Sequence, residues 1–307
     1  MDASLAVLLT IVTAATPLLL AAIGELVVER SGVLNLGVEG MMLAGAVTAF
    51  AITVTTGSAM LGIVTGAIAG ALLALIFGVL TLSLTSNQVA TGLALTIFGI
   101  GLSALVGSSF VGIPVDRLPR LRLPGLSDLP VIGPLLFGHD VLVYLSVVAT
   151  AGVAWFLKRT RGGMILRAVG ESDVSAHSIG YDVIKVRYLA VLFGGVMAGL
   201  GGAFLSLSYT PMWGEEMTAG RGWIALALVV FASWRPWRLL LGAYLFGGVT
   251  ILQLYAQGTG GFGVPAQVMS MLPYLATIVV LAAIAGGPWK GRLDAPACLG
   301  QPFRPAT

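Results

Sequence analysis

The sequence predicts an all-α protein, a polytopic transmembrane bundle of about nine spans with its N-terminus outside and its C-terminus in the cytoplasm. Three observations carry that reading. Of 307 residues, 57% are hydrophobic and 9% charged, whereas a soluble globular chain carries about 25% charged residues. Apolar runs near the ~20 residues that cross a bilayer recur along the whole length. Lysine and arginine are concentrated in alternate connections, the pattern that orients membrane proteins.

The first run, 5–23, follows four residues without Lys or Arg and has no small-residue cleavage pattern ahead of a soluble domain. It reads as a span and not as a cleaved signal. Further spans are expected at 36–55, 60–83, 89–111, 140–157, 188–209, 221–233, 239–257 and 268–286. The seventh of these is too short to cross alone and reads as tilted, broken or extended by its neighbours. With the loop 158–187 placed in the cytoplasm, that side holds Arg30, Lys158, Arg159, Arg161, Arg167, Lys185, Arg187, Arg235, Arg238, Lys290, Arg292 and Arg304. The outer side holds only Arg117, Arg120, Arg122 and Arg221. The chain reads as one membrane domain, 1–307, with a cytoplasmic loop at 158–187, an outer loop at 112–139 and a cytoplasmic tail at 287–307.

The loop 158–187 is a polar island between apolar runs. Ser172 can cap a short helix, Asp173 sits in its first turn where the helix dipole favours a carboxylate, and Gly180 is a natural stop. Gly170, Glu171 and His177 complete the segment. A small charged helix tied at both ends to spans suits the transfer of motion between a soluble partner and the membrane core; an ordinary connecting loop is the alternative. The outer loop carries Pro114, Pro119, Pro124, Pro130 and Pro134, which exclude a continuous regular helix. It reads as a docking surface for an extracytoplasmic partner or as a stiff connector.

Glycines Gly62, Gly66 and Gly70, and again Gly195 and Gly199, fall at the four-residue spacing that lets helix backbones approach in lipid. Packing within the bundle is the default meaning, ahead of self-association. Glu39 is the clear intramembrane carboxylate, and at that depth it must face a cavity or a partner. A helix through this region would put Asn35 one turn before Glu39 on the same face. Asn87 and Gln88 open the fourth span, Thr91 follows, and Gln253 with Gln257 shares a face of the eighth. These groups suit a pathway for a neutral hydrogen-bonding solute, or bonds between helices. Glu25, Glu29 and Arg30 read as boundary residues reaching to water.

There is no GxxxxGK[ST] phosphate loop, so the chain is not expected to hydrolyse nucleotide. His139 and His177 lack a second ligand at metal spacing. The single cysteine, Cys298, cannot form an intrachain disulfide. No cofactor, metal or nucleic-acid partner is expected, and one buried carboxylate is thin support for a proton-coupled pump.

The segment GELVVERSGVLNLGVEGMMLAGA at 24–46, SNQVATGLALTIFG at 86–99, the proline-rich outer loop, RAVGESDVSAHSIGYDV at 167–183 and AGRGWIALALVVF at 219–231 together resemble one family. They are similar to permeases of the nucleoside and simple-sugar group of bacterial ATP-binding-cassette (ABC) importers, which are branched-chain-amino-acid-permease-like. The resemblance is strongest to the shorter of two paralogous permeases in basic-membrane-protein-dependent nucleoside importers. It implies a bacterial inner-membrane subunit that moves a small polar solute inward and pairs with a second permease. It also implies a cytoplasmic ATPase bound at the 170–180 helix and an extracytoplasmic lipoprotein that delivers solute. A simple sugar such as ribose is the alternative cargo, and a stand-alone secondary transporter the alternative class. The WRPWR turn at 234–238 and the short tail with Cys298 depart from the commonest family pattern.

Overall fold

Capping side chains, glycines and prolines divide the apolar sequence into helices. The computed structural model describes residues 3–121, 133, 137–258 and 295–304, with isolated positions between 265 and 282. In chain order the helices are α1 (Ala3–Arg30), α2 (Val38–Thr56), α3 (Ala59–Gly78), α4 (Gln88–Gly107), α5 (Val141–Arg159), α6 (Arg161–Glu171), α7 (Asp173–Ser178), α8 (Val183–Phe204), α9 (Arg221–Phe231) and α10 (Pro236–Gly258). Single π-turns extend α3 over Val79–Ser83 and α8 over Leu205–Tyr209.

Most starts have a side-chain reason. Asn87 accepts a bond from the Ala90 amide at 3.0 Å, Asp182 from Lys185 at 3.0 Å, and Asp140 from both Leu142 and Val143. Thr160 caps α6 through the Gly163 amide at 3.0 Å, and Ser172 caps α7 through Ser175 at 3.3 Å. Such a side-chain oxygen pairs an amide that the helix leaves free.

Among the described residues, seven helices are long and apolar enough to cross a membrane, fewer than the nine predicted. The predicted span 221–233 is the 11-residue α9, which at 1.5 Å per residue covers about 16 Å, half the hydrocarbon core. The span expected at 268–286 lies outside the described residues except for isolated positions. Two helices form the centre: 78% of the apolar window of α8 and 72% of that of α2 are buried, against 28% for α4.

Glycines bring α2, α3 and α8 together. A Cβ at Gly66 would come within 2.8 Å of the Gly45 carbonyl, and one at Gly70 within 2.8 Å of the Gly199 Cα. The four-residue glycine spacing therefore serves packing within the chain.

Two ends can be told apart. At one lie Arg30, the 234–238 turn, the ends of α3 and α5, helices α6 and α7, and the segment 295–304; this basic end contains the polar island. At the far end, residues 111–121 run beside 207–213, with the Val115 amide on the Pro211 carbonyl (3.2 Å) and Leu118 on Leu207 (3.3 Å). Asp140 accepts a 2.6 Å bond there from Ser208 Oγ. No helix forms over 111–121, as the prolines require; residues 122–132 and 134–136 lie outside the described set.

Two local expectations are corrected. Asn35 is not on a helix, because α2 begins at Val38. Glu25 and Glu29 do not reach water; each is 1% exposed and holds a buried backbone or indole N–H. Arg187, counted among the cytoplasmic basic residues, is 1% exposed and bonded on three sides.

Gly70→Ala is expected to destabilise the folded chain by about 1–3 kcal/mol, because the added methyl runs into the Gly195 carbonyl and the Gly199 backbone. Equilibrium unfolding in mixed micelles, compared with Ala69→Gly as a control, checks this.

Candidate translocation and coupling site

Helix α9 starts against α2, and its first amides have no partner within the helix. The turn before it is tight: Ala219 has φ +47° and Gly220 φ +77°. The carboxylate of Glu39, in the first turn of α2, fills the exposed N-terminus. Its Oε1 accepts bonds from Thr218 Oγ1 at 2.5 Å and the Gly220 amide at 2.8 Å, and its Oε2 accepts from the Gly222 amide at 2.6 Å. Negative charge at a helix N-terminus also meets the positive end of the dipole. The approach needs glycine, since a Cβ at Gly222 would lie 2.6 Å from the Glu39 Cα.

The other end of α9 is held with the opposite polarity. Ser233 and Trp234 turn the chain with φ +51° and +54°. The Trp234 carbonyl accepts bonds from Arg30 Nε at 3.3 Å and Nη2 at 3.1 Å, and its indole N–H donates to Glu29 Oε2 at 2.6 Å. A guanidinium at the C-terminal end complements the negative end of the same dipole. Arg221, expected on the outer side, opens α9, donates to the Met217 and Thr218 carbonyls and stacks over Tyr209 with 5.3 Å to the ring centroid.

A second break, 31–37, separates α1 from α2. Side chains from two helices pair its backbone: the Leu34 amide donates to Gln88 Oε1 at 2.8 Å, Asn35 N–H to Glu25 Oε1 at 3.1 Å, and Thr96 Oγ1 to the Leu36 carbonyl at 3.0 Å. Asn35 folds back, its Oδ1 accepting from the Gly37 amide at 2.9 Å. Glu25 Oε2 and Gln88 Nε2 are buried without a hydrogen-bond partner among the described residues.

The structure thus brings Asn35 and Gln88 together, with Glu39 a few residues further along the same segment. Asn87 caps α4, and Thr91 shares a 2.8 Å hydroxyl bond with Ser86 at the same end. Gln253 and Gln257 sit in the last turns of α10, at the far end and apart from that cluster. Glu25, Glu29, Thr96, Thr218 and Trp234 escape the sequence reading as a set. A signal for part of it lies in the glycines and asparagine of SGVLNLG at 31–37, which break a helix and oblige neighbours to pair its backbone.

At the basic end the polar island is two helices, not one. Gly162 and Gly163 conceal the amphipathic α6 in the sequence, because glycine depresses helix propensity; a Cβ at Gly163 would lie 2.7 Å from the Leu157 Cα. Ser172, Asp173 and the Gly180 stop fall as expected, with Gly180 at φ +94°. Asp173 also makes an ion pair, its Oδ2 lying 3.0 Å from Arg187 Nη2. Arg187 Nε donates to the Ser31 carbonyl at 3.2 Å, so one buried guanidinium joins α7, α8 and the 31–37 break. Gly170 is buried against the Arg30 carbonyl, whereas Glu171 and His177 are exposed. Val174 and Ile179 stand 64% and 71% exposed, leaving α7 and its exit with an apolar surface at the basic end.

The chain is similar to known permeases. Residues 7–282 match the family described as branched-chain amino acid transport system / permease component. A putative glucose ABC transporter permease protein of Haloferax volcanii is 44% identical, covering 95% of each chain. A guanosine ABC transporter permease protein of Bacillus subtilis is 33% identical over 94% of this chain and 93% of its own. A nucleoside ABC transporter permease protein of Lactococcus lactis is 32% identical over 88% and 89%.

Glu39→Gln is expected to cost about 1–3 kcal/mol, because an amide can accept at only one of the two positions and its NH₂ would face a donor. Equilibrium unfolding of the purified chain measures the loss, and a variant as stable as the parent contradicts the cap.

Proposed function

The chain belongs to the branched-chain amino acid transport system / permease component family, and from that premise we propose that it moves nucleosides inward. It is a multi-pass permease subunit of an ABC importer, a transport component and not an enzyme. The observation that carries the cargo is the similarity of nearly the full chain to permeases named for guanosine and for nucleosides in two different bacteria. A simple sugar is the second reading, favoured by the 44% identity to a relative named for glucose. Both cargoes are neutral polyols.

In this reading the N-terminus is outside and the C-terminus inside a bacterial cytoplasmic membrane. The shared end of Arg30, Lys158, Arg159, Arg235 and Arg238 supports that orientation, since cytoplasmic connections are rich in Lys and Arg. An ATPase subunit seats α7 and its exposed Val174 and Ile179 in a cleft, with Glu171, Ser172 and His177 at the contact. Gly170, Asp173 and Gly180 set the position of α7. A second, paralogous permease completes the pathway, and an extracytoplasmic lipoprotein delivers solute to the far end. The pathway runs beside the two helix breaks, as in transporters whose discontinuous helices meet near mid-membrane. Asn35, Asn87, Gln88 and Thr91 serve its inner half, Glu39 its midpoint and Gln253 with Gln257 its outer half.

Purified alone, the chain is expected neither to hydrolyse ATP nor to accumulate solute in liposomes. Reconstituted with its ATPase, second permease and receptor, it should drive ATP-dependent uptake of labelled guanosine or adenosine, resisted by excess unlabelled nucleoside but not by ribose or glucose. Competition by the sugars alone moves the assignment to the second reading, and gradient-driven uptake by the single subunit contradicts the ABC role.

A further inference from the structure

The segment 295–304 lies against the coupling helices. Its Cys298 amide donates to the Gly170 carbonyl at 2.9 Å, and the Cys298 thiol approaches the Glu171 carbonyl at 3.6 Å. Those are the last carbonyls of α6, which a helix cannot pair for itself. Two residues on, the Gly300 amide donates to the Gly32 carbonyl at 3.0 Å, and the Gln301 carbonyl accepts from Arg187 Nη1 at 3.3 Å. Phe303 then enters a small core of Val169, Ala176 and Val183, its ring centroid 5.4 Å from that of His177.

The segment therefore grips two things at once: the α6–α7 corner and the backbone of the 31–37 break. Arg187 sits between them, bonded to Asp173 on α7, to Ser31 at the break and to Gln301 on the segment. Its guanidinium is buried, so each of these acceptors replaces water that is not available there.

We propose that 295–304 is a positioning strap that makes the coupling helices and the 31–37 break move as one body. This rests on the ABC reading above. When the ATPase displaces α7, the strap and Arg187 carry Ser31 and Gly32 with it. That motion shifts the Leu34–Asn35 backbone against Glu25 and Gln88, next to the proposed pathway. Without the strap, α7 still meets the ATPase, but only Arg187 then passes its displacement to the break, and part of it is lost in the α6–α7 corner.

The test uses the complete reconstituted complex and reads solute-stimulated ATP hydrolysis together with uptake. Ending the chain after Ala297 should leave basal hydrolysis in place and reduce uptake per ATP hydrolysed by about two- to thirtyfold, the range of coupling changes produced by residues that touch neither ligand. Phe303→Ala is the milder variant, and the chain's single cysteine reports on the seat. In the assembled complex, Cys298, 9% exposed in the native chain, should react faster with maleimide while uptake per ATP falls. Should the truncated chain fail to assemble, Phe303→Ala decides alone. Unchanged uptake per ATP in that variant, with or without faster Cys298 labelling, overturns the strap. A parent complex whose ATPase ignores loaded receptor would instead overturn the transport reading itself.

Discussion

The first amides of a helix have no partner within it, and a buried one left unpaired costs about 1–3 kcal/mol; at the start of α9, Thr218 and Gly222 are buried. The Glu39 carboxylate meets that constraint with three accepted hydrogen bonds at once. Much else depends on this contact. It explains why a carboxylate stands in the first turn of α2, why Gly222 has no side chain, and how an 11-residue helix can exist among full-length spans. Glu29 and Arg30 repeat the arrangement at the other end with the charges suited to a helix C-terminus. A short helix held by α2 at its start and by α1 at its end is tied to both of those helices.

The break at 31–37 lies between those two helices. Its backbone is paired by Glu25 and Gln88 from two helices, and its first residue is bonded to Arg187. Through Asp173 the same guanidinium reaches the coupling helix. A continuous chain of buried polar contacts thus runs from the basic end to the turn before α2, and α2 carries Glu39. At the far end, residues 111–121 lie along 207–213, which lead into the approach to α9. Both ends of the molecule therefore converge on the same half-helix by short routes.

The class of fold is readable from composition and apolar run length, because spanning a bilayer leaves little choice of residue. The boundaries of α2, α4, α5 and α8 agree with the sequence to within a few residues, apart from a longer basic-end start to α8. Local pattern shows that Glu39 needs a partner, but its partners are Thr218, Gly220 and Gly222, far along the chain and beyond what local pattern can indicate. Glu25 and Glu29 read as water-facing because a charge near a span end usually reaches water; their burial depends on the Asn35 amide and the Trp234 indole arriving from elsewhere. Two glycines at the start of α6 argue against a helix unless the close pass against α5 is known. Short-range chemistry, such as the Ser172 cap and the Gly180 stop, is fully visible in the sequence.

The central claim is that Glu39 and the start of α9 act as a bonded pair and not as independent polar residues. A double-mutant cycle measures that directly: equilibrium unfolding in mixed micelles of the parent, Glu39→Gln, Thr218→Val and the double variant. The account predicts non-additive losses, with a coupling energy of about 0.5–3 kcal/mol, as for residues within one hydrogen-bond network. Strictly additive losses would show that the carboxylate and the threonine contribute separately, and would contradict it.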